Sequence, residues 1–431
     1  MQRRIRKLTP MVILIIALSP IYCVFHPLTD IFGLHEDSAG DTEQNLLLAA
    51  VVSNLVLPPT FSPDESLTYY SAQSVNISSA TEVSTIHYTL DGSDPSCSST
   101  QYAEPLGVSA NSVTRIRAIA CVRDGDNLRF SLATEATYVA APALIGSINT
   151  PVNAMDSVIV GDYAYVADWG GFDLQILSVS DPANPAPAAQ ANPFGNARAL
   201  HLDGLRLFVA LHGNGWVAYD ISNPTAPSSI GSSDPPGFLY DLDTEGNLLY
   251  TASDSGGIHA IDISAIGSPT LLGTESSAGG LGLDAVGTLV YAARGASGLQ
   301  VIDFSVPSSP SVIGTYASIN ASHVIVSGST AYVADGSGGL LILNVSNPVS
   351  PTLLGAYTPG MNAYKLALDG SVIAVADHSF GLRLIDASNP SSPSLLGQYS
   401  LSGPTQAVTF SGNLVYVSDD DNGLFVFRYK R

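Results

Sequence analysis

The stretch that decides the fold is Leu299-Gln-Val-Ile-Asp-Phe-Ser305, because similar heptapeptides recur through the C-terminal part of the chain. The copies are spaced by 42, 42, 41, 41, 42 and 42 residues and begin at Leu174, Trp216, Ile258, Leu299, Leu340, Leu382 and Leu424. A period of this length is typical of one four-stranded propeller blade. The seven copies therefore predict a seven-bladed β-propeller over residues 142–431.

Each repeat divides into four short strands in the same way. In the sixth repeat the predicted strands are residues 364–369, 372–376, 382–386 and 394–399. The turn before the last strand contains Asn389-Pro390 and Pro393, and proline cannot continue a ladder of hydrogen bonds. The inner strands are nearly continuous runs of apolar residues, as a strand covered on both faces requires.

The seventh repeat reaches Arg431 after only three strands. A matching fourth strand lies before the first repeat, where residues 142–148 resemble residues 393–399 in sequence. We therefore expect strand 142–148 to complete the last blade and to remove an exposed sheet edge.

Residues 57–140 have a different pattern, which predicts a small β-sandwich before the propeller. Polar and apolar residues alternate over residues 74–78, 85–90 and 115–121, with turn residues such as Asp91-Gly92 between the runs. Short alternating strands with this turn chemistry are typical of a sandwich. The chain as a whole is therefore predicted to be all-β.

Both regions resemble known families. Tyr88-Thr-Leu-Asp-Gly-Ser-Asp-Pro95, with Pro59, Tyr102 and Arg117, resembles the chitobiase/β-hexosaminidase C-terminal domain. That resemblance implies an immunoglobulin-like accessory module without a catalytic role. The Leu-x-Val-Ile-Asp-x-Ser heptapeptide, followed by Asn-Pro in the copies that begin at Trp216, Leu340 and Leu382, resembles the LVIVD repeat. This second resemblance implies a propeller but leaves its biochemical role open.

The N-terminal residues indicate export. A basic start precedes an apolar run, so residues 1–25 are interpreted as a signal peptide or membrane anchor, with lipidation at Cys23 as an alternative. Residues 26–56 are interpreted as a linker. In an oxidising compartment Cys97 and Cys121 are expected to form a disulfide. The predicted location is the periplasm, the outer cell surface or the extracellular space, with membrane contact only through the N-terminal segment.

The charge balance excludes one class of partner. The chain has 37 acidic and 16 basic residues, a net charge of −21, and no basic stripe. Nucleic acid is therefore not an expected partner. We expect a monomer that binds a protein or a glycan.

The loops between the second and third strands are the predicted binding face, because five of the seven contain an acidic residue. The alternative is that Asp and Gly serve only the tight turns. The candidate binding residues in these loops are Asp168, Trp169, His212, Asp254, Arg294, Asp335, Asp377, His378, Phe380 and Asp419. No cofactor is expected except calcium, for which Asp419 and Asp421 are weak candidates because the motif's downstream Glu is absent.

No catalytic motif is present, and the histidines are scattered, so no catalytic residue is assigned. The sequence favours an exported, non-enzymatic binding protein of the cell envelope. Two alternatives stay open: a carbohydrate-active enzyme with two converging carboxylates, and a purely structural or adhesion protein.

Overall fold

The computed structural model describes residues 55–63, 72–109, 111–171, 173–192 and 194–430. The predicted leader, the site at Cys23 and most of the predicted linker lie outside the described residues. The described chain is all-β, apart from one short 3-10 turn at His212–Asn214. No helix in the described ranges has the length and apolar character needed to cross a bilayer.

The small N-terminal domain consists of two sheets. One sheet has the order β1-β2-β5, and the other has the order β4-β3-β6-β7 with β8 also paired to β6. Val75, Ile116 and Tyr138 are fully buried between the sheets. The predicted disulfide is confirmed, with the Cα atoms of Cys97 and Cys121 5.9 Å apart. The strands of this domain are β1 (Thr60–Ser62), β2 (Gln73–Ser78), β3 (Thr85–Thr89), β4 (Thr100–Gln101), β5 (Leu106–Val108), β6 (Ser112–Asp124), β7 (Asn127–Phe130) and β8 (Thr134–Ala140).

The remaining strands form seven four-stranded antiparallel sheets, the blades of a propeller. Strand β9 (Ala143–Ile148) is the first propeller strand along the chain but belongs to blade 7. Blades 1 and 2 contain β10 (Asn153–Val160), β11 (Tyr163–Trp169), β12 (Asp173–Ser178), β13 (Ala186–Ala191), β14 (Ala199–Asp203), β15 (Arg206–Ala210), β16 (Trp216–Asp220) and β17 (Ser228–Ser233). Blades 3 and 4 contain β18 (Leu239–Glu245), β19 (Leu248–Ser253), β20 (Gly257–Asp262), β21 (Thr270–Glu275), β22 (Gly282–Val286), β23 (Leu289–Ala293), β24 (Leu299–Asp303) and β25 (Ser311–Tyr316). Blades 5, 6 and 7 contain β26 (His323–Ser327), β27 (Thr330–Ala334), β28 (Leu340–Asn344), β29 (Thr352–Tyr357), β30 (Ala363–Asp369), β31 (Val372–Asp377), β32 (Gly381–Asp386), β33 (Ser394–Ser400), β34 (Thr405–Ser411), β35 (Leu414–Asp419) and β36 (Gly423–Arg428).

The first strands of the blades form the innermost ring. Each first strand contacts the first strand of the next blade, and β34 of blade 7 contacts β10 of blade 1. The seven first strands therefore enclose a central channel, and the prediction of a seven-bladed propeller is confirmed.

Alternate residues of a strand pack against different neighbouring blades, which explains the continuous apolar runs. In β31 of blade 6, Ile373 and Val375 lie in a buried cluster with residues of blade 5. Ala374 and Ala376 of the same strand lie in a cluster with residues of blade 7. Because both faces are covered, both sets of side chains must be apolar.

Strands from the two ends of the propeller meet in blade 7. Strand β9 pairs antiparallel with β36, with Ile148 opposite Leu424 and Ala143 opposite Arg428. Blade 7 thereby gains its outer strand, and the hydrogen bonds of this pairing join the ends of the ring.

Neighbouring blades also meet at a glycine in the outer strand. A Cβ atom at Gly314 would lie 2.0 Å from the carbonyl oxygen of Pro348, and one at Gly355 would lie 2.3 Å from that of Pro390. Both prolines belong to the Asn-Pro turn of the following blade. Only glycine lets the outer strand lie this close to that turn. Similar close contacts with the next unit occur at Gly146, Gly231, Gly273 and Gly397.

The glycine contact gives a stability prediction. Gly314→Ala should lower the free energy of unfolding by about 2 kcal/mol, because the added methyl group must displace the backbone at Pro348. Gly267→Ala is the matched control, since its nearest non-neighbouring atom is 3.8 Å away. Urea unfolding of both variants tests this, and an equal effect of the two substitutions would contradict it.

Candidate functional site

Four of the predicted loop aspartates are buried and bind backbone rather than solvent. Asp168, Asp335, Asp377 and Asp419 lie at the end of the second strand of their blades, with at most 2% of their surface exposed. The carboxylate of Asp335 accepts hydrogen bonds from the backbone N–H groups of Ile319, at 3.1 Å, and of the residue after it. These carboxylates therefore hold loops in place and are not presented to a ligand.

Asp168 and Asp377 make the same kind of contact as Asp335. The backbone N–H of Val152 donates to Asp168 over 3.3 Å, and that of Asn362 donates to Asp377 over 3.0 Å. In both cases the donor belongs to the loop that enters the first strand of the same blade. The loop before the first strand and the loop after the second strand thus emerge on one face of the propeller, called here the loop face.

The other charged candidates in these loops differ from one another. Arg294 is buried and forms an ion pair with Glu275, whose pKa is lowered because hydrogen bonds from Ser277 and the charge of Arg294 outweigh burial. Asp254 is exposed and accepts a hydrogen bond from the backbone N–H of Phe238.

The weak calcium candidates do not form a cluster of ligands. The carboxylate of Asp419 accepts hydrogen bonds from the backbone and side-chain nitrogens of Asn422, while Asp421 is exposed. Within the described ranges, no three His, Cys, Asp or Glu side chains converge to hold a metal ion. Binding of calcium at Asp419 and Asp421 stays a prediction.

A cavity of about 160 Å³ opens within the ring of first strands. One residue from each blade lies at the rim nearest the loop face. Asp241, His323 and Lys365 each directly follow one of these rim residues in sequence and add polar groups. The lining residues are Met155, Arg198, Tyr240, Asp241, Leu281, Ser322, His323, Tyr364, Lys365 and Gln406.

Aromatic rings surround the arginine at the rim of this cavity. The guanidinium carbon of Arg198 lies 4.2 Å from the ring centre of Tyr240 and 5.8 Å from that of Trp169. The His212 ring lies 4.8 Å from Trp169 and stacks at 4.6 Å on Phe238, which is 48% exposed. These five residues are called here the aromatic rim. It includes two residues that the sequence predicted, Trp169 and His212.

The remaining predicted residues divide between the rim and the blades. Tyr364 receives a hydrogen bond of 2.6 Å from Arg198, and its ring lies 5.5 Å from that of His378. Phe380 instead lies 5.1 Å from the guanidinium of Arg383, which pairs with Asp377. The structure thus brings His378 close to the cavity, whereas Phe380 contacts a side chain within its own blade.

A partly buried lysine, Lys365, also lines the cavity. The ammonium group of Lys365 contacts Asp156 at 2.5 Å. Burial would lower the pKa of Lys365, but the carboxylates of Asp156 and Asp241 outweigh it and raise the pKa above its ordinary value. Burial, with a smaller effect of Lys365, places the pKa of His323 well below its ordinary value, so His323 is neutral.

Carboxylates in the channel also connect the first strands of blades 1, 3 and 4 to the first strand of the following blade. Asp156 accepts the N–H of Leu200 at 2.9 Å, and Asp241 accepts that of Leu283 at 3.0 Å. Asp284 makes the same kind of contact with the following blade, because its carboxylate accepts the backbone N–H of Val326. Burial raises the pKa of Asp241 to about 6. Burial, and then the neighbouring carboxylates of Asp243 and Asp241, raise the pKa of Asp284 to about 7.

Sequence reasoning missed all ten residues that line the cavity, because its candidates came from the loops between second and third strands. A signal was present: Arg198, Tyr240 and Tyr364 occupy corresponding positions at or just before the start of the first strands of their blades. Lys365 is also one of only three lysines in the chain. A polar residue repeated near the start of the innermost strand indicates a channel-facing position.

Comparison with protein families supports the repeat assignment. The LVIVD repeat matches seven segments: residues 152–190, 194–234, 237–275, 283–318, 320–359, 361–400 and 402–427. Together these segments cover more than half of the chain. The chain belongs to the LVIVD-repeat family. The chitobiase/beta-hexosaminidase C-terminal domain matches residues 63–131, which confirms the resemblance of the small N-terminal domain.

Solved structures similar to this LVIVD-repeat protein are propellers. The WD40 β-propeller domain of Doa1 is 13% identical with a TM-score of 0.53, and the match covers 66% of this chain and 95% of that chain. The β-propeller domain of Cps50 (Swd1) from Myceliophteria thermophila is 12% identical with a TM-score of 0.55, covering 66% and 98% of the two chains. These similarities show the fold alone. No curated protein matches the chain significantly by sequence.

We expect substitution of a buried loop aspartate to destabilise this LVIVD-repeat protein. Asp335→Ala should lower the free energy of unfolding by about 2 kcal/mol, because two backbone N–H groups lose their acceptor. Asp303→Ala is the control, since Asp303 accepts a single N–H, that of Ser305, in an exposed turn. Thermal or urea unfolding would contradict the prediction if the two variants lost equal stability.

Because the pKa values of the channel carboxyl groups of Asp241 and Asp284 are raised, we expect the stability of the protein to depend on pH. An unfolded aspartate has a pKa near 3.9, whereas Asp241 and Asp284 titrate at about 6 and about 7 in the folded protein. At a pH between the unfolded and folded pKa values, the folded state binds more protons than the unfolded state. The free energy of unfolding therefore falls as the pH rises from about 4 to about 7. Asp284→Asn should reduce this slope by up to about 1.4 kcal/mol per pH unit.

The control for the pH experiment is Asp262→Asn. The Ser264 backbone N–H lowers the pKa of Asp262, so this group does not titrate in the same window. Urea unfolding from pH 4.5 to 7.5 measures the slope for each protein. An unchanged slope in the Asp284 variant would show that its carboxyl group is not protonated in the folded state.

Proposed function

We propose that the protein is an exported, non-enzymatic binding protein that holds part of a protein or glycan ligand at the loop-face end of the propeller channel. The observation that carries the proposal is the aromatic rim around Arg198, which borders a cavity of about 160 Å³. Tyr, Trp and Arg are the side chains that most often dominate binding energy at interfaces. Rings held on a rigid scaffold bind without a large loss of conformational entropy.

Export is supported by the disulfide. Disulfides persist in oxidising compartments and are rare in reducing ones, and Cys97 and Cys121 are joined in the N-terminal domain. The basic and apolar N-terminal sequence supports the same location. The periplasm, the cell surface and the extracellular space all fit these features. In this proposal the sandwich domain serves as a spacer or an auxiliary binding module.

The second candidate function is that of a carbohydrate-active enzyme. Asp241 favours it, because a cavity carboxyl group with a pKa of about 6 can donate a proton near neutral pH. A paired-carboxylate mechanism needs a second carboxyl group facing the substrate. Asp241 is the one acidic residue among those that line the described cavity, and Asp156 is paired with Lys365. The geometry therefore supports binding more strongly than hydrolysis.

A binding screen tests the proposal. The purified full-length protein is applied to glycan arrays and to extracts of envelope proteins with crosslinking, and hydrolysis of each bound glycan is assayed. Tyr240→Ala should weaken binding at least tenfold, because it removes the ring on which Arg198 lies. Circular dichroism confirms that the variant is folded.

Phe130→Ala is the matched control, since Phe130 is an aromatic residue of the sandwich domain and is 66% exposed. Loss of binding in the Phe130 variant alone would move the ligand site to the sandwich domain and overturn the proposal. Hydrolysis that is abolished by Asp241→Asn would instead establish the enzyme alternative.

A further inference from the structure

Arg198 differs from most basic residues of the propeller because it has no acidic partner. Among the described residues no carboxylate lies within ion-pair distance of its guanidinium, whose one hydrogen bond goes to the hydroxyl of Tyr364. Five other basic side chains of the propeller each contact a carboxylate, namely Arg206, Arg294, Lys365, Arg383 and Lys430. The positive charge at the rim is therefore not neutralised within the described protein.

The guanidinium of Arg198 is also held in a fixed orientation. The guanidinium carbon lies 4.2 Å from the ring centre of Tyr240. The terminal nitrogen Nη2 donates a hydrogen bond of 2.6 Å to the hydroxyl of Tyr364. The second N–H of Nη2 and the N–H groups of Nε and Nη1 make no hydrogen bond with the described residues, so Nη2 can still donate beside Nε or Nη1 along one edge of the guanidinium. A planar fork of N–H donors matches the two oxygens of a carboxylate.

The charges of the cavity lining favour a ligand with one negative charge. Lys365 is compensated by Asp156, which leaves Arg198 as the unpaired cation and Asp241 as the one acidic residue of the described lining. Asp241 repels a second negative charge whenever it is ionised. A carboxylate, with one charge, therefore fits the lining better than a phosphate dianion.

The cavity also offers hydrogen-bonding groups for a polar ligand. Nδ1 of His323 is buried and has no hydrogen-bond partner among the described residues. A cavity of about 150 Å³ is large enough for a benzene ring, and this cavity has a volume of about 160 Å³. A single six-membered ring with a carboxylate therefore fits the available space.

We propose that the cavity binds the carboxylate group of a ring-sized ligand, with the guanidinium of Arg198 making a two-point contact to the carboxylate oxygens. The ring lies against the aromatic rim, and the ligand is either a free small acid or the acidic terminal unit of a longer chain. This inference rests on the proposed function, because it names the ligand chemistry of the same site.

Fluorescence titration with matched ligands tests the inference. The protein has two tryptophans, and Trp169 lies in the rim whereas Trp216 is fully buried. D-glucuronate, its neutral methyl ester and cyclohexanecarboxylate are added to the full-length protein at constant ionic strength. Glucuronate should bind at least tenfold more tightly than its ester, because the ester cannot accept the charged hydrogen bonds. An oligosaccharide with a terminal uronate distinguishes a chain end from a free acid, since tighter binding of the oligosaccharide indicates the chain end.

Variants of Arg198 complete the test. Arg198→Gln should weaken glucuronate binding about tenfold to a hundredfold and abolish the preference over the ester. Arg198→Lys should restore only part of the affinity, because an ammonium group lacks the fork of donors. The control is Arg123→Gln, which removes the same charge from an exposed position of the sandwich domain.

Two outcomes would overturn the inference. One is equal binding of acid and ester, or no binding of any carboxylate probe. The other is an Arg198→Gln variant that keeps the preference for the acid. The proposed function would survive both outcomes if Tyr240→Ala still abolished binding to the arrays, because that result depends on the rim and not on the charge of the ligand.

Discussion

The propeller depends on contacts between one blade and the next, because no blade can bury both of its faces alone. Alternate residues of β31 pack toward blades 5 and 7, and the same arrangement continues around the ring. Such stacking leaves two unpaired faces unless the ring closes. Pairing of β9 with β36 supplies the outer strand of blade 7 and joins the two ends. As a result, apolar surface is buried at the contacts between all neighbouring blades.

Three kinds of polar contact fix the blades within this apolar arrangement. Loop aspartates such as Asp335 hold the chain that enters the first strand in several blades. Channel carboxylates such as Asp156 accept N–H groups of the next blade's first strand. Outer-strand glycines such as Gly314 let a blade lie against the turn of the next unit. The glycine contact recurs in six of the seven outer strands, which explains why Gly returns at a fixed position of the repeat, whereas the aspartate contacts occur in only some of the described blades.

The candidate site lies where the repeat is least regular. The rim positions of the seven first strands carry seven side chains of six different types, from Arg198 and Tyr240 to Leu281 and Gln406. Apart from Met155, which packs against the cluster between blades 1 and 2, these side chains belong to no hydrophobic cluster of the described residues, so the apolar core does not constrain their identity. A regular scaffold with a variable central ring can thus present a specific set of groups to a ligand without a change in blade packing.

The sequence by itself determined the fold class, the number of blades and the cysteine pair, because each has a local signature in the period or in residue type. It also identified Trp169 and His212 as residues of the loop face. It did not show that Asp168 and Asp377 are buried against backbone, since a turn former and an exposed ligand have the same local sequence. Only the tertiary structure placed Arg198, Tyr240 and Lys365 around one cavity. These residues come from different blades, and their proximity depends on closure of the ring.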